Sequence, residues 1–231
     1  MSVYQFNQAN DSGLIQNHSG IKKIDSGFFV LFLINLGLII FISVINSLLD
    51  IGVLESNRFK ISEFKKGFTI FFIVAVFIFP FFEELIHRFF ITKRKNALWS
   101  LIFIIIYFFL ISDYSFYRIL IFLMYVVFII SIIFSSKLYE NKNYLLLLTT
   151  LFFAFFHIFK FDDFQKQPLS IALLSLIPQF ITGTILFFVH NRYGFLAGVL
   201  HHSLLNGILL LMIYISILLF EQEISASLIA D

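Results

Sequence analysis

The sequence predicts an all-α fold: a polytopic bundle of transmembrane helices. Three observations predict it. Of the 231 residues, 60% are hydrophobic and only 13% charged, with mean hydropathy +0.96, more apolar surface than a soluble core of this size needs. Apolar runs recur at lengths that cross a bilayer, which takes about 20 helical residues. Most Lys and Arg residues fall between these runs, at the membrane edges. The 35 Phe residues read as lipid-facing bulk. A net charge of +2 is too small to suggest a nucleic-acid partner, and the absence of Cys excludes disulfides, thiolate metal sites and cysteine nucleophiles.

Residues 1–26 read as a polar tail (Asn7, Gln8, Asn10, Asp11, Asn17) with no cleavable signal peptide. Seven spans follow, near 27–49, 67–93, 97–112, 116–135, 144–160, 169–190 and 194–220. There are eight if the last breaks near Gly207. Pro80 is expected to kink the second span. The stretch 50–66 reads as a charged linker and 221–231 as a short polar tail, so one membrane domain over 27–220 accounts for the chain. Lys22, Lys23, Lys93, Arg94, Lys95, Lys137, Lys142 and Arg192 fall on the N-terminal side of such a bundle. Arg58, Lys60, Lys65, Lys66, Lys160 and Lys166 fall on the other, with Arg118 at a helix edge. This balance favours a cytoplasmic N-terminus.

Polar residues inside the spans carry the functional information. A charge near the bilayer centre is unfavourable by about 2.5–3.5 kcal/mol. Yet Phe81-Phe82-Glu83-Glu84-Leu85-Ile86-His87-Arg88-Phe89-Phe90 holds Glu83, Glu84 and Arg88 in the second span. The fifth span carries His157; the seventh carries His201, His202 and Asn206. Helical spacing puts Glu84 on a face with Arg88, Glu83 with His87, and His202 with Asn206. At 1.5 Å per residue, Glu83 lies ~15 Å, His157 ~20 Å, His202 ~12 Å and Asn206 ~18 Å from the N-terminal-side edge. These four therefore share one layer. A carboxylate there can serve as general base, a histidine can orient water, and a His–Asn pair can donate to an oxyanion.

The blander readings stand beside this one. Glu84–Arg88 can be a structural buried pair. His87 reads as filler within the motif, and His201 as a supporting or lipid-edge residue. His190, Asn191 and Arg192 read as a solvated interfacial loop, and Asp162 and Asp163 as interfacial.

Glu83-Glu84-x-x-x-Arg88, Phe153-x-x-x-His157 and His202-x-x-x-Asn206, in that order, resemble the three motifs of the CAAX-processing intramembrane protease family (CPBP, or Abi), over roughly residues 67–210. The two spans between the first and second motifs depart from relatives in which those helices are adjacent. The resemblance implies an intramembrane endopeptidase acting on a peptide or protein substrate. Its catalytic residues would be Glu83 as base, His157 as its partner, and His202 and Asn206 as the oxyanion pocket. Glu84 and Arg88 would position the motif, with Glu84 also near the water site. It further implies the bacterial branch, an integral protein of the cytoplasmic membrane whose site opens to the cytoplasm. Metal-free chemistry is one reading. A divalent ion such as zinc held by Glu83, His157 and His202 is the other. Two further function classes compete: a transporter using the acidic and His residues as a relay, and a non-catalytic immunity or peptide-binding protein. Neither inverted repeats nor paired broken helices are evident for a transporter. The sequence also lacks the motifs of zinc, serine and aspartyl proteases.

Overall fold

The computed structural model describes residues 24–48, 61–110, 116–157 and 169–230. The tail up to residue 23, most of the 50–66 linker and residues 158–168 (with Lys160, Asp162, Asp163 and Lys166) lie outside the described residues. Every regular element among the described residues is helical. In chain order they are α1 (Ser26–Leu48), α2 (Ile61–Ile73), a π-helical turn (Val74–Ile78), α3 (Phe79–His87) and α4 (Phe89–Thr92). A 3-10 turn (Arg94–Asn96) leads to α5 (Ala97–Leu110), α6 (Phe116–Phe134), α7 (Ser136–Glu140), α8 (Lys142–Phe156), α9 (Leu169–Tyr193) and α10 (Phe195–Ala230).

Among the described residues, four stretches are long and apolar enough to cross a membrane: Ser26–Val44, Gly67–His87, Phe116–Phe134 and Phe195–Leu219. Their large side chains point outward in number; Leu33, Ile70, Phe116 and Phe134 are each more than 60% exposed, the arrangement a lipid solvent permits and water does not. The apolar helices α5 and α8 are shorter, at 14 and 15 residues. α9 runs for 25.

The second run is segmented where a single helix over 67–93 was expected. It begins at Ile61, so residues 61–66 are helical rather than linker. It passes through the π-turn and breaks at Arg88, whose φ of −138° and ψ of −8° lie outside the helical region. The last helix is continuous from Phe195 to Ala230. It neither breaks at Gly207 nor gives way to a polar tail at 221.

Two apolar clusters hold the bundle. The larger joins α4, α5, α6 and α8 through Phe90, Ile104, Tyr125, Ile129, Leu145 and Phe152, all nearly inaccessible. The smaller packs α1 on α9 and α10 through Phe28, Val189 and Ala197. Polar contacts tie helix ends together. Arg192 and Tyr193 at the end of α9 both donate to the Asp25 carboxylate before α1. Arg94 donates to the carbonyls of Ile132 (3.1 Å) and Ile133 (2.6 Å) in the last turn of α6, where a cation offsets the negative end of the helix dipole. Asn35 and Thr182 bond at 3.2 Å between α1 and α9.

Candidate active site

The acidic pair stands on a helix whose backbone is irregular on both sides. Within the π-turn the Phe79 N–H bonds to the Val74 carbonyl, five residues back. Continued in that register, the next donor to Ala75 would be residue 80, a proline without an N–H. The Asn206 side-chain amide donates to the Ala75 carbonyl instead, at 3.0 Å. Bilayer hydrocarbon offers no water for such a group, so a side chain must satisfy it. The break at Arg88 frees further carbonyls. Leu85 accepts from the Ser100 hydroxyl and Ile86 from the Tyr125 hydroxyl, each at 2.8 Å. These bonds fix the last turn of α3 and with it the directions of Glu83 and Glu84.

Glu84 is the centre of a dry cluster. Its Oε1 accepts from Arg88 Nη1 at 2.7 Å and from His202 Nδ1 at 2.8 Å. Its Oε2 lies 2.6 Å from His190 Nε2. The Glu84, Arg88 and His190 side chains have no accessible surface, and His202 has 4%. The Arg88 guanidinium also lies over the Phe153 ring, 4.3 Å from its centroid, with Nη2 3.4 Å from the Gly183 carbonyl. His190 reaches Glu84 because residue 198 is glycine: a Cβ there would stand 2.0 Å from His190 Nε2. The chain turns between α9 and α10 at Gly194, whose φ of +92° favours glycine. Residues 190 and 198 lie four positions either side of that turn and so face each other. His190 is thus buried in the site, not solvated at the interface.

Glu83 points elsewhere, about 100° around the helix from Glu84. Its side chain is 17% exposed and lines a cavity of about 570 Å³ between α3, α5 and the end of α8. Glu83, His87, Tyr107 and His157 give this cavity its polar wall. The remainder is apolar, including Phe82, Phe103 and Leu110. His157 Nδ1 lies 2.8 Å from the Phe153 carbonyl. A carbonyl only accepts, so Nδ1 carries the proton and Nε2 is the acceptor when the ring is neutral. His202 Nε2 lies 3.5 Å from Glu83 Oε2. His202 Nδ1 already donates to Glu84, so the approach to Glu83 is attractive only with a proton on Nε2 or on Glu83.

The structure therefore brings Glu83, Glu84, Arg88 and His202 into one cluster and sets His157 beside Glu83 on the cavity. The Asn206 amide is directed to Ala75, and Asn206 does not line the cavity. His201 is fully buried edge-on to Phe28 and Phe32 rather than at the lipid edge. His87, read as filler, lines the cavity. Sequence reasoning missed His190, Ser100 and Tyr125. For His190 the signal was available in the His190-x-x-x-Gly194-x-x-x-Gly198 spacing around a tight helical hairpin.

Among the described residues no group of three His, Asp or Glu side chains is arranged to hold a metal ion. His202 and His157 each commit one ring nitrogen to a protein acceptor.

The fold and site define a helical membrane protein with a buried acidic and imidazole cluster beside an apolar cavity. No family model matches the chain, and neither the curated proteins nor the solved structures give a match.

Proposed function

We propose that this protein is an intramembrane peptidase of the CAAX-processing type, built on a seven-span bundle in which the shorter helices also lie within the membrane. The observation that carries the reading is the division of labour between adjacent glutamates. Glu84 is saturated with partners, whereas Glu83 stands at the polar wall of a substrate-sized cavity beside His157 and within 3.5 Å of His202.

In this reading Glu83 takes a proton from a water held against His157 Nε2, and the resulting hydroxide attacks the scissile carbonyl. The carbonyl electrons move onto oxygen. His202, with Nδ1 anchored by Glu84, donates from a protonated Nε2 to that oxyanion. The proton on Glu83 passes to the amide nitrogen as the C–N bond breaks, releasing amine and carboxylate. Asn206 acts one step removed, by closing the Pro80 gap that aims α3. No step passes through a metal. The basic residues favour a site open to the cytoplasm in a bacterial inner membrane.

A transporter would use the same polar groups as a relay, but a carboxylate locked by Arg88, His190 and His202 is poorly placed to exchange ions. Cleavage of a hydrophobic peptide panel by membrane fractions separates the readings. The peptidase loses processing in Glu83→Gln, His157→Ala and His202→Ala variants that still fold, and a chelator leaves it unaffected. Ion flux without any cut peptide supports the carrier, and chelator loss restored by one metal supports the zinc reading.

A further inference from the structure

The cavity contains an imidazole that the reaction above does not use. His87 follows Glu83 by one helical turn and lines the same polar wall as His157. It is 2% exposed, and its Nδ1 has no hydrogen-bond partner among the described residues. The ring is clamped by aromatic faces and edges: Tyr125 at 5.3 Å, Phe153 at 5.6 Å and Phe156 at 5.0 Å between centroids. Packing thus fixes where the ring lies, and no hydrogen bond at Nδ1 fixes its tautomer. An imidazole held rigidly at a cavity wall can give a proton to a carbonyl or accept one from an amide. Nδ1 is enclosed, so a molecule in the cavity meets the ring through Nε2, which can donate or accept according to the tautomer.

The rest of the wall says what that ligand is. Beyond Glu83, Tyr107 and His157 the lining is aromatic and aliphatic. Phe79 and Phe82, on the α3 wall, are 48% and 43% exposed. A volume of about 570 Å³ is that of a small-ligand pocket, which on typical dimensions runs to about 300–1,000 Å³. An anionic side chain entering this wall would lose its hydration and meet the Glu83 carboxylate.

We propose that His87 is a substrate-binding residue that hydrogen-bonds the peptide main chain, and that the cavity accepts bulky uncharged side chains flanking that contact. The substrate class is then an apolar peptide segment presented from the bilayer. This rests on the peptidase reading for its meaning, but the binding step is measurable without cleavage.

The test uses the full-length Glu83→Gln protein in nanodiscs, so that nothing is cut. The probe is a dansylated tetrapeptide amide of phenylalanine and leucine, and its counterpart of aspartate and lysine is the control. The chain's one Trp, Trp99, sits one turn before the cavity residue Phe103, at 6.5 Å between rings, and serves as energy-transfer donor. Saturable transfer is expected for the apolar probe and not for the charged one. Adding His87→Phe should weaken it about tenfold, the loss of one hydrogen bond. His87→Gln, which restores a donor and acceptor, should recover most of it. Equal affinity with His87→Phe, or an equal loss with both variants, overturns the proposal. Ring ¹⁵N shifts of His87 in the Glu83→Gln protein supply a readout that needs no substitution at His87: they should move on adding the apolar probe, and unchanged shifts overturn the proposal. Saturable, His87-dependent binding with no cleavage by the wild-type chain would remove the peptidase reading and leave the binding site standing.

Discussion

Glu83 and Glu84 are neighbours in sequence and opposites in environment. Glu84 has no accessible surface and touches Arg88, His190 and His202. Glu83 keeps 17% of its side chain exposed at a cavity wall. A buried carboxylate is tolerated in a bilayer when its charge is matched, and Arg88 supplies that match at Glu84. Its cluster binds α3, α9 and α10 together. The adjacent carboxylate can then remain reachable, because the structural demand on the motif has been met one residue away. One acid holds the site and the other faces the space where a reaction can occur.

The contrast can be broken from either side. The largest effect is expected at the closed cluster. Glu84→Gln leaves the Arg88 guanidinium buried without a counter-ion, a loss of about 3–5 kcal/mol. It should appear as a marked fall in unfolding temperature or in folded yield from membranes. Gly198→Ala comes next. The added Cβ would collide with His190 Nε2, and overpacking of this kind is worth about 1–3 kcal/mol; thermal unfolding in detergent measures it. A stable Gly198→Ala protein with native activity would mean that His190 has no role in holding Glu84. Asn206→Ala removes the donor to Ala75 and should lower stability by about 1 kcal/mol. An oxyanion role would instead reduce turnover at unchanged stability.

The smallest effect lies at the membrane edge. The hydrogen bond from Tyr193, with the Arg192 cation beside it, holds the Asp25 carboxyl below its ordinary range. A depressed folded-state value makes this a contribution that is present above about pH 3.9, the unfolded reference. It is lost as pH falls through the lower folded-state value. Asp25→Asn should therefore lower the unfolding temperature slightly at pH 7, and the difference from wild type should vanish in strong acid.

Much of this contrast was legible in the residues. Helical spacing alone pairs Glu84 with Arg88, and the shared depth of the second and seventh spans anticipates the meeting of His202 with Glu83. Spacing gives a helical face but not its neighbours, so it did not reveal that His190 turns inward through the gap at Gly198. The bond from Asn206 to Ala75 was not foreseen for a different reason. A proline's effect depends on the hydrogen-bond register before it, and the π-turn at Val74–Ile78 leaves no composition signal. Ser100 and Tyr125 were invisible because the carbonyls they satisfy exist only after the helix breaks at Arg88. The all-helical, membrane-spanning character followed from apolar run length.

The most direct measurement is a side-by-side comparison of Glu83→Gln and Glu84→Gln in reconstituted membranes, reading both thermal unfolding and hydrolysis of an apolar peptide panel. Glu83→Gln should unfold within about 1 kcal/mol of wild type and lose about 10²–10⁴-fold in turnover, the contribution of a general base. Glu84→Gln should instead lose its stability. Glu83→Gln protein that retains wild-type hydrolysis, or that unfolds as readily as Glu84→Gln, would contradict the account.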